Sequence, residues 1–77
     1  MGAVQIKISP PEASIYVDHA YAGSPNRYLD SWLSLPLGTR LLMIEAPGYY
    51  THYSKLLVSG KPSTLVVRLV RRPKIGE

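Results

Sequence analysis

Two histidines, a few carboxylates and several serines are the side chains in this sequence that could do chemistry. His19 directly follows Asp18, and His52 lies far along the chain. A metal site needs three or four such ligands converging, and nothing in this spacing brings them together. Two exposed loop or edge histidines are the expectation. Serine, histidine and aspartate are also the parts of a hydrolytic triad. The strand–Gly-x-Ser-x-Gly–helix setting that would present the serine is absent. Paired carboxylates cleave glycosides only across a cleft, and 77 residues leave little room for one. No glycine-rich run opens a helix, so there is no phosphate loop. The chain has no cysteine, which excludes thiolate nucleophiles, zinc fingers and disulfides. The residues therefore read as non-enzymatic, with no cofactor and no metal.

Charge and aromatic surface remain. Nine Lys and Arg stand against five Asp and Glu, a net charge of +4. The positives are scattered until Arg68, Arg71, Arg72 and Lys74 concentrate them. Such a cluster favours an anionic partner. Its commoner meaning is a solvated end, and residues 71–77 are read as a basic C-terminal tail or linker. Six tyrosines and one tryptophan accompany no phenylalanine. Tyrosine joins apolar area to a polar tip, which suits half-buried and interface positions. Basic residues among aromatics also raise single-strand nucleic-acid binding, with a five-stranded OB barrel as the rival architecture. The basic cluster is distant in sequence from most tyrosines, which disfavours nucleic acid. Contact with a polyanion, a cell-wall polymer or the less favoured nucleic acid, through tyrosines and Arg68, Arg71, Arg72 and Lys74, is the alternative function.

No apolar run approaches the roughly 18 residues of a membrane span. Val4 to Ile8 is too short and too alternating for a signal-peptide core. Ile6 stands where the N-myristoylation pattern needs Ser or Thr. No membrane insertion by this segment is expected.

The elements that must position these residues are short strands. Val4-Gln5-Ile6-Lys7-Ile8 alternates apolar and polar, the period of a half-buried strand. Pro10-Pro11 ends it, because neither proline can donate to a ladder. Ala13, Ile15 and Val17 share the next face. Asp18-His19-Ala20 is a turn, and Tyr21-Ala22-Gly23 begins a third strand. Ser24 to Ser31 is irregular, with Pro25, Asn26 and Asp30 as turn formers. Asn26 to Leu35 is the one window for a helical turn, interrupted by Asp30 and Ser31. Trp32 to Leu35 reaches Pro36-Leu37-Gly38. Strands over Thr39 to Ala46, Tyr50 to Ser59 and Ser63 to Val70 follow, separated by Pro47-Gly48 and Gly60-Lys61-Pro62. Strands at this spacing give an all-β sandwich or barrel.

The last three strands carry an excess of apolar residues. If Leu42, Ile44, Leu56, Val58, Leu65, Val67 and Leu69 point inward, the opposite faces still hold Leu41, Met43, Leu57, Val66 and Val70. A strand buried on one side should be polar there. Consecutive strands usually neighbour one another. The expectation is one contiguous apolar patch, an interaction face for a protein partner, a neighbouring domain or a second copy.

Several marks stand in order along the chain: Pro10-Pro11, Ala13, Ile15-Tyr16-Val17-Asp18, Gly23, Leu35-Pro36-Leu37-Gly38-Thr39, Pro47-Gly48-Tyr49, Gly60 and Leu65-Val66-Val67-Arg68-Leu69. This succession resembles the PEGA domain, from about Val4 to Leu69. It departs from the family in three places. Asp18-His19 stands where Asp-Gly is usual, which suggests a wider or differently shaped turn. Glu12 takes the place of the glycine before Ala13. The Ser24 to Ser31 link is longer than usual. The resemblance implies a small antiparallel β-sandwich of about seven short strands, of the prealbumin or immunoglobulin-like kind, over residues 4–70. It implies no catalytic residues. It also implies an accessory module of a prokaryotic surface, periplasmic or membrane-tethered protein, and so a cell-envelope, periplasmic or extracellular location.

Overall fold

The computed structural model describes residues 1–28 and 31–73. The alternating segments become seven strands: β1 (Gly2–Ser9), β2 (Ser14–Val17), β3 (Ala20–Gly23), β4 (Leu33–Leu35), β5 (Gly38–Glu45), β6 (His52–Val58) and β7 (Ser63–Arg68). A short 3-10 turn at Pro25–Tyr28 lies between β3 and β4. It begins within the irregular link, ahead of the expected helical window. The strands form two sheets, ordered β4-β1-β7 and β3-β2-β5-β6. The fold is a small all-β sandwich. Every strand pair is antiparallel except β1 with β7, which runs parallel from Val4↔Ser63 to Ser9↔Arg68. That pair departs from the expected all-antiparallel arrangement.

The prolines explain the layering. The chain passes from one sheet to the other four times, and each crossing carries proline: Pro10-Pro11, Pro25, Pro36 and Pro62. A residue with no N–H cannot extend a ladder, so each proline releases the chain from its sheet. The two connections that stay within a sheet are true turns. Asp18-His19 joins β2 to β3 with Val17 opposite Ala20. Both turn residues have positive φ, 50° and 70°. This is the tight two-residue hairpin that favours Asn-Gly or Asp-Gly, not the wider or differently shaped turn that the missing glycine suggested.

The turn is held from β5. Asp18 N–H donates to Leu41 O at 2.8 Å. The Asp18 carboxylate accepts from Leu41 N–H at 3.0 Å and from Arg40 Nη1 at 3.1 Å. Aspartate tolerates the left-handed region because its short polar side chain bonds locally.

The second turn follows β5. Tyr49 N–H donates to Ala46 O at 3.1 Å, and Gly48 has φ 81°. These are the marks of a type II turn, with Pro47 and Gly48 in their favoured places. Tyr49 then lies half-buried against the core. The following residues engage the chain beyond β7: Tyr50 N–H donates to Val70 O, and Arg72 N–H donates to Gly48 O, each at 2.8 Å. Arg71 and Arg72 are thus joined by backbone to the Gly48 turn, and both stay exposed.

Between the sheets lie Val4, Ile6 and Ile8 of β1, Ile15 and Val17 of β2, Leu42 and Ile44 of β5, and Val58 and Val67 from β6 and β7. Val4, Ile15 and Ile44 are fully buried. Burying each such side chain contributes about 1.5–3 kcal/mol. The inward set expected for the last three strands is found inward, with Leu56 and Leu65 half-buried at its margin.

Candidate functional site

The parity that drives these residues inward fixes what each sheet shows to solvent. On the four-stranded sheet, Ile15 and Val17 point in, so Tyr16 points out; Leu42 and Ile44 point in, so Leu41 and Met43 point out. On β6 the same rule exposes Tyr53, Lys55 and Leu57. Register then aligns them across the sheet. Tyr21 is opposite Tyr16, Tyr16 opposite Met43, and Met43 opposite Tyr53. One row of large side chains thus crosses all four strands, about 14 Å at a strand spacing of about 4.8 Å.

A bulge sets the first pair. Ile15 is opposite Gly23 but Tyr16 is opposite Tyr21, so Ala22 is the extra residue. The Tyr16 and Tyr21 rings meet edge to face, with centroids 5.6 Å apart and planes at 61°. This is a favoured aromatic geometry. Tyr28 is placed differently: its hydroxyl donates to Ala22 O and its ring packs on the core margin.

Beside the row, Leu41 pairs with Lys55 and Thr39 with Leu57. A groove of about 320 Å³ runs over this surface, lined by Tyr16, His19, Leu41, Met43, Tyr53 and Lys55. Met43 is the half-buried floor, while Tyr53 and Leu57 stand largely exposed. Glu45 lies at the edge of the row, opposite Ser14. Partial burial pushes the Tyr16 phenol above its usual pKa, and the neighbouring Glu45 carboxylate pushes it further.

The outer face of the three-stranded sheet is different in kind. Gln5, Lys7 and Ser9 stand opposite Thr64, Val66 and Arg68, and the Thr64 hydroxyl donates to Gln5 Oε1 at 3.4 Å. Val66 is exposed here among polar neighbours, and Val70 lies just beyond the end of β7. The single patch expected from the sequence is therefore divided. Leu41, Met43 and Leu57 share the four-stranded sheet, while Val66 belongs to the other sheet and Val70 follows its last strand. The cause is β7, which leaves its sequence neighbour β6 and pairs with β1.

The basic residues are also dispersed. Arg68 points out from β7, next to Ser9. Arg71 lies over the Tyr49 ring at 5.6 Å, within cation–π range, and interaction with Tyr49 raises its pKa. Arg72 lines a groove of about 450 Å³ with Pro47, Tyr49 and Pro73. Lys74 lies outside the described residues.

His19 occupies the β2–β3 turn and His52 opens β6. Among the described residues, no three His, Cys, Asp or Glu side chains gather into a metal-binding group. No helix among them is long and apolar enough to cross a membrane.

Tyr16, Tyr21 and Tyr53 are the surface residues that sequence reasoning did not assign to a face. The signal for Tyr16 was present, because it alternates with Ile15 and Val17. Tyr21 and Tyr53 needed the register. No protein-family model and no curated protein matches this chain.

Proposed function

We propose that this chain is a non-catalytic interaction module, a PEGA-like domain of a prokaryotic cell-envelope protein. It makes its contacts with a partner protein or neighbouring domain through the outer face of the four-stranded sheet. The observation that carries this reading is the unbroken row Tyr21, Tyr16, Met43 and Tyr53, set beside exposed Leu41 and Leu57. A sandwich sheet that faces only water shows polar residues on that side, as the three-stranded sheet does at Gln5, Lys7, Thr64 and Arg68. Tyrosine, methionine and leucine in one continuous patch are what a protein contact buries. The order of prolines, glycines and the Pro47-Gly48-Tyr49 corner supports the family resemblance.

The test has two parts. An apolar dye such as ANS is titrated onto the chain and onto Tyr53→Lys and Leu41→Glu variants. The face reading expects reduced binding in both and fails if neither differs from the unaltered chain. Sedimentation equilibrium from micromolar to millimolar concentration then identifies the partner type. A monomer throughout removes self-association and leaves a different protein as the partner.

A second reading has one favouring observation: the end of the sandwich gathers Arg71, Arg72, Tyr49 and a groove. Polyanion binding there would fade steeply with added salt, whereas apolar association through the sheet would persist.

A further inference from the structure

The aromatic face carries two ionised side chains, and their positions are related. Of the charged or imidazole residues on its four strands, Arg40 and His52 stand opposite Leu56 and Ile44 and share their side of the sheet. That leaves Glu45 and Lys55 on the outer side. Glu45 is half-buried and Lys55 is exposed. Lys55 stands opposite Leu41, and Glu45 lies four residues farther along β5. Their backbone positions are about 14 Å apart at ordinary strand dimensions. Met43 and Tyr53, opposite one another, lie midway between them. Among the described residues the ion pair within the chain joins Arg40 to Asp18, so Glu45 and Lys55 do not neutralise each other.

A two-fold axis makes these positions complementary. In an isologous contact, residue i meets residue j of the second copy, and j meets i. An axis lying in the contact plane, passing between Met43 and Tyr53 and running roughly along the row, exchanges the two ends of the face. It carries Lys55 of each copy onto Glu45 of the other. Met43 and Tyr53 lie near the axis and meet their own counterparts. Leu41 falls beside Tyr16 of the second copy. The face is then apolar at its centre, oppositely charged at its exchanged ends, and neutral in sum.

Its size fits a weak dimer. The four strands cover about 375 Å² of flat sheet, at about 3.4 Å per residue and 4.8 Å between strands. Two copies bury about twice that, and the relief of the tyrosines brings the total near the roughly 1,000 Å² of the smallest specific interfaces. Tyr21, Leu41 and Tyr53 stand exposed, so this surface is accessible.

We propose that the partner of this face is a second copy of the chain, in a symmetric sheet-to-sheet dimer with reciprocal Lys55–Glu45 ion pairs. This rests on the reading of the four-stranded sheet as the contact face, and adds the occupant and its register. The ion pairs lie at the rim, where charge sets orientation more than affinity. The row of tyrosines and methionine supplies the apolar area.

The experiment is sedimentation equilibrium of the unaltered chain, of Lys55→Glu, of Glu45→Lys, and of the two variants mixed in equal amounts. Thermal midpoints confirm that each variant is folded. The unaltered chain is expected to dimerise within the micromolar to millimolar range. Each single variant sets two like-charge contacts in its own dimer and should associate at least tenfold more weakly. In the mixture every such contact is again between opposite charges, so association should return. The proposal is overturned if the unaltered chain is a monomer to millimolar concentration. Loss of ANS binding in Tyr53→Lys would then still support the face, with a different protein on it. It is equally overturned if both single variants dimerise as well as the unaltered chain, or if the mixture stays monomeric. A dimer that also survives Tyr53→Lys and Leu41→Glu, with ANS binding unchanged, would reject the contact face itself.

Discussion

Leu57 and Val66 make a matched pair for testing which sheet is adhesive. They are 71% and 70% exposed, so neither contributes much to the core. Each has a lysine nearby: Lys55 lies two positions from Leu57 on the same face, and Lys7 stands opposite Val66. Leu57→Glu and Val66→Glu therefore place the same charge in comparable surroundings on opposite sides of the sandwich. Exposed substitutions of this type stay within about 0.5 kcal/mol of the parent. For a chain this small, that is a thermal shift of no more than roughly 4 °C.

Association should separate them. A fully buried leucine contributes about 1.5–3 kcal/mol. With 71% of Leu57 still accessible, a partner that covers it gains about 1–2 kcal/mol from that side chain. Its loss weakens binding roughly five- to thirty-fold, and a desolvated glutamate adds to the effect. Val66→Glu should leave the same association unchanged. Sedimentation equilibrium reports this if the chain self-associates, and ANS titration reports the exposed apolar face in either case. Equal effects of the two variants, or a larger effect of Val66→Glu, would refute assignment of the contact to the four-stranded sheet.

Other substitutions test the framework that holds that face. Asp18→Ala removes the acceptor for Leu41 N–H and the partner of Arg40. It should cost about 2 kcal/mol in chemical denaturation, since hydrogen bonds to charged groups contribute about 1.5–3 kcal/mol and the half-exposed ion pair only about 0.2–1. Asp18→Asn keeps an acceptor and tolerance of positive φ, and should cost less than about half as much. His19→Gly should stabilise the hairpin by about 0.5–1 kcal/mol, because relief of the left-handed strain exceeds the entropy that glycine adds to the unfolded chain; a lower melting temperature would show that the turn does not need glycine there. Glu45→Gln should bring Tyr16 ionisation part of the way back toward the ordinary tyrosine value, read by absorbance near 295 nm, with burial retaining the rest. The sign for stability follows from the raised pKa. Folded Tyr16 keeps its proton to higher pH than unfolded tyrosine, so its contribution is complete below about pH 10 and is lost as pH rises through the folded value.

The strands were legible because each rests on local chemistry. Alternation over Val4 to Ile8 and Ala13 to Val17 needs no partner to be recognised, and prolines stop a ladder wherever they fall. The form of the Asp18-His19 turn was not legible. Asp18 is held there by Leu41 and Arg40, 23 and 22 residues away, and no local rule anticipates that help. The same holds for Arg71 and Arg72, whose position depends on the Gly48 carbonyl and the Tyr49 ring.

The divided patch has a more general cause. Period-2 patterning states which residues share a side of a strand, but not which sheet the strand joins. Leu65 and Val67 point inward whether β7 lies beside β6 or beside β1. Beside β1 they meet Ile6 and Ile8 in register, so the binary pattern is satisfied equally well. What tips the choice is Ser59 to Pro62, which releases the chain from β6 and delivers it to the other sheet. Once β7 has moved, the aliphatic excess on its outer side no longer reinforces Leu41 and Leu57. It becomes a lone valine between Lys7 and Arg68, while the aromatic row on the remaining sheet gains Tyr16 and Tyr21 from β2 and β3. The face we propose for contact is thus set less by the apolar excess of the last three strands than by the register that aligns four strands behind Met43.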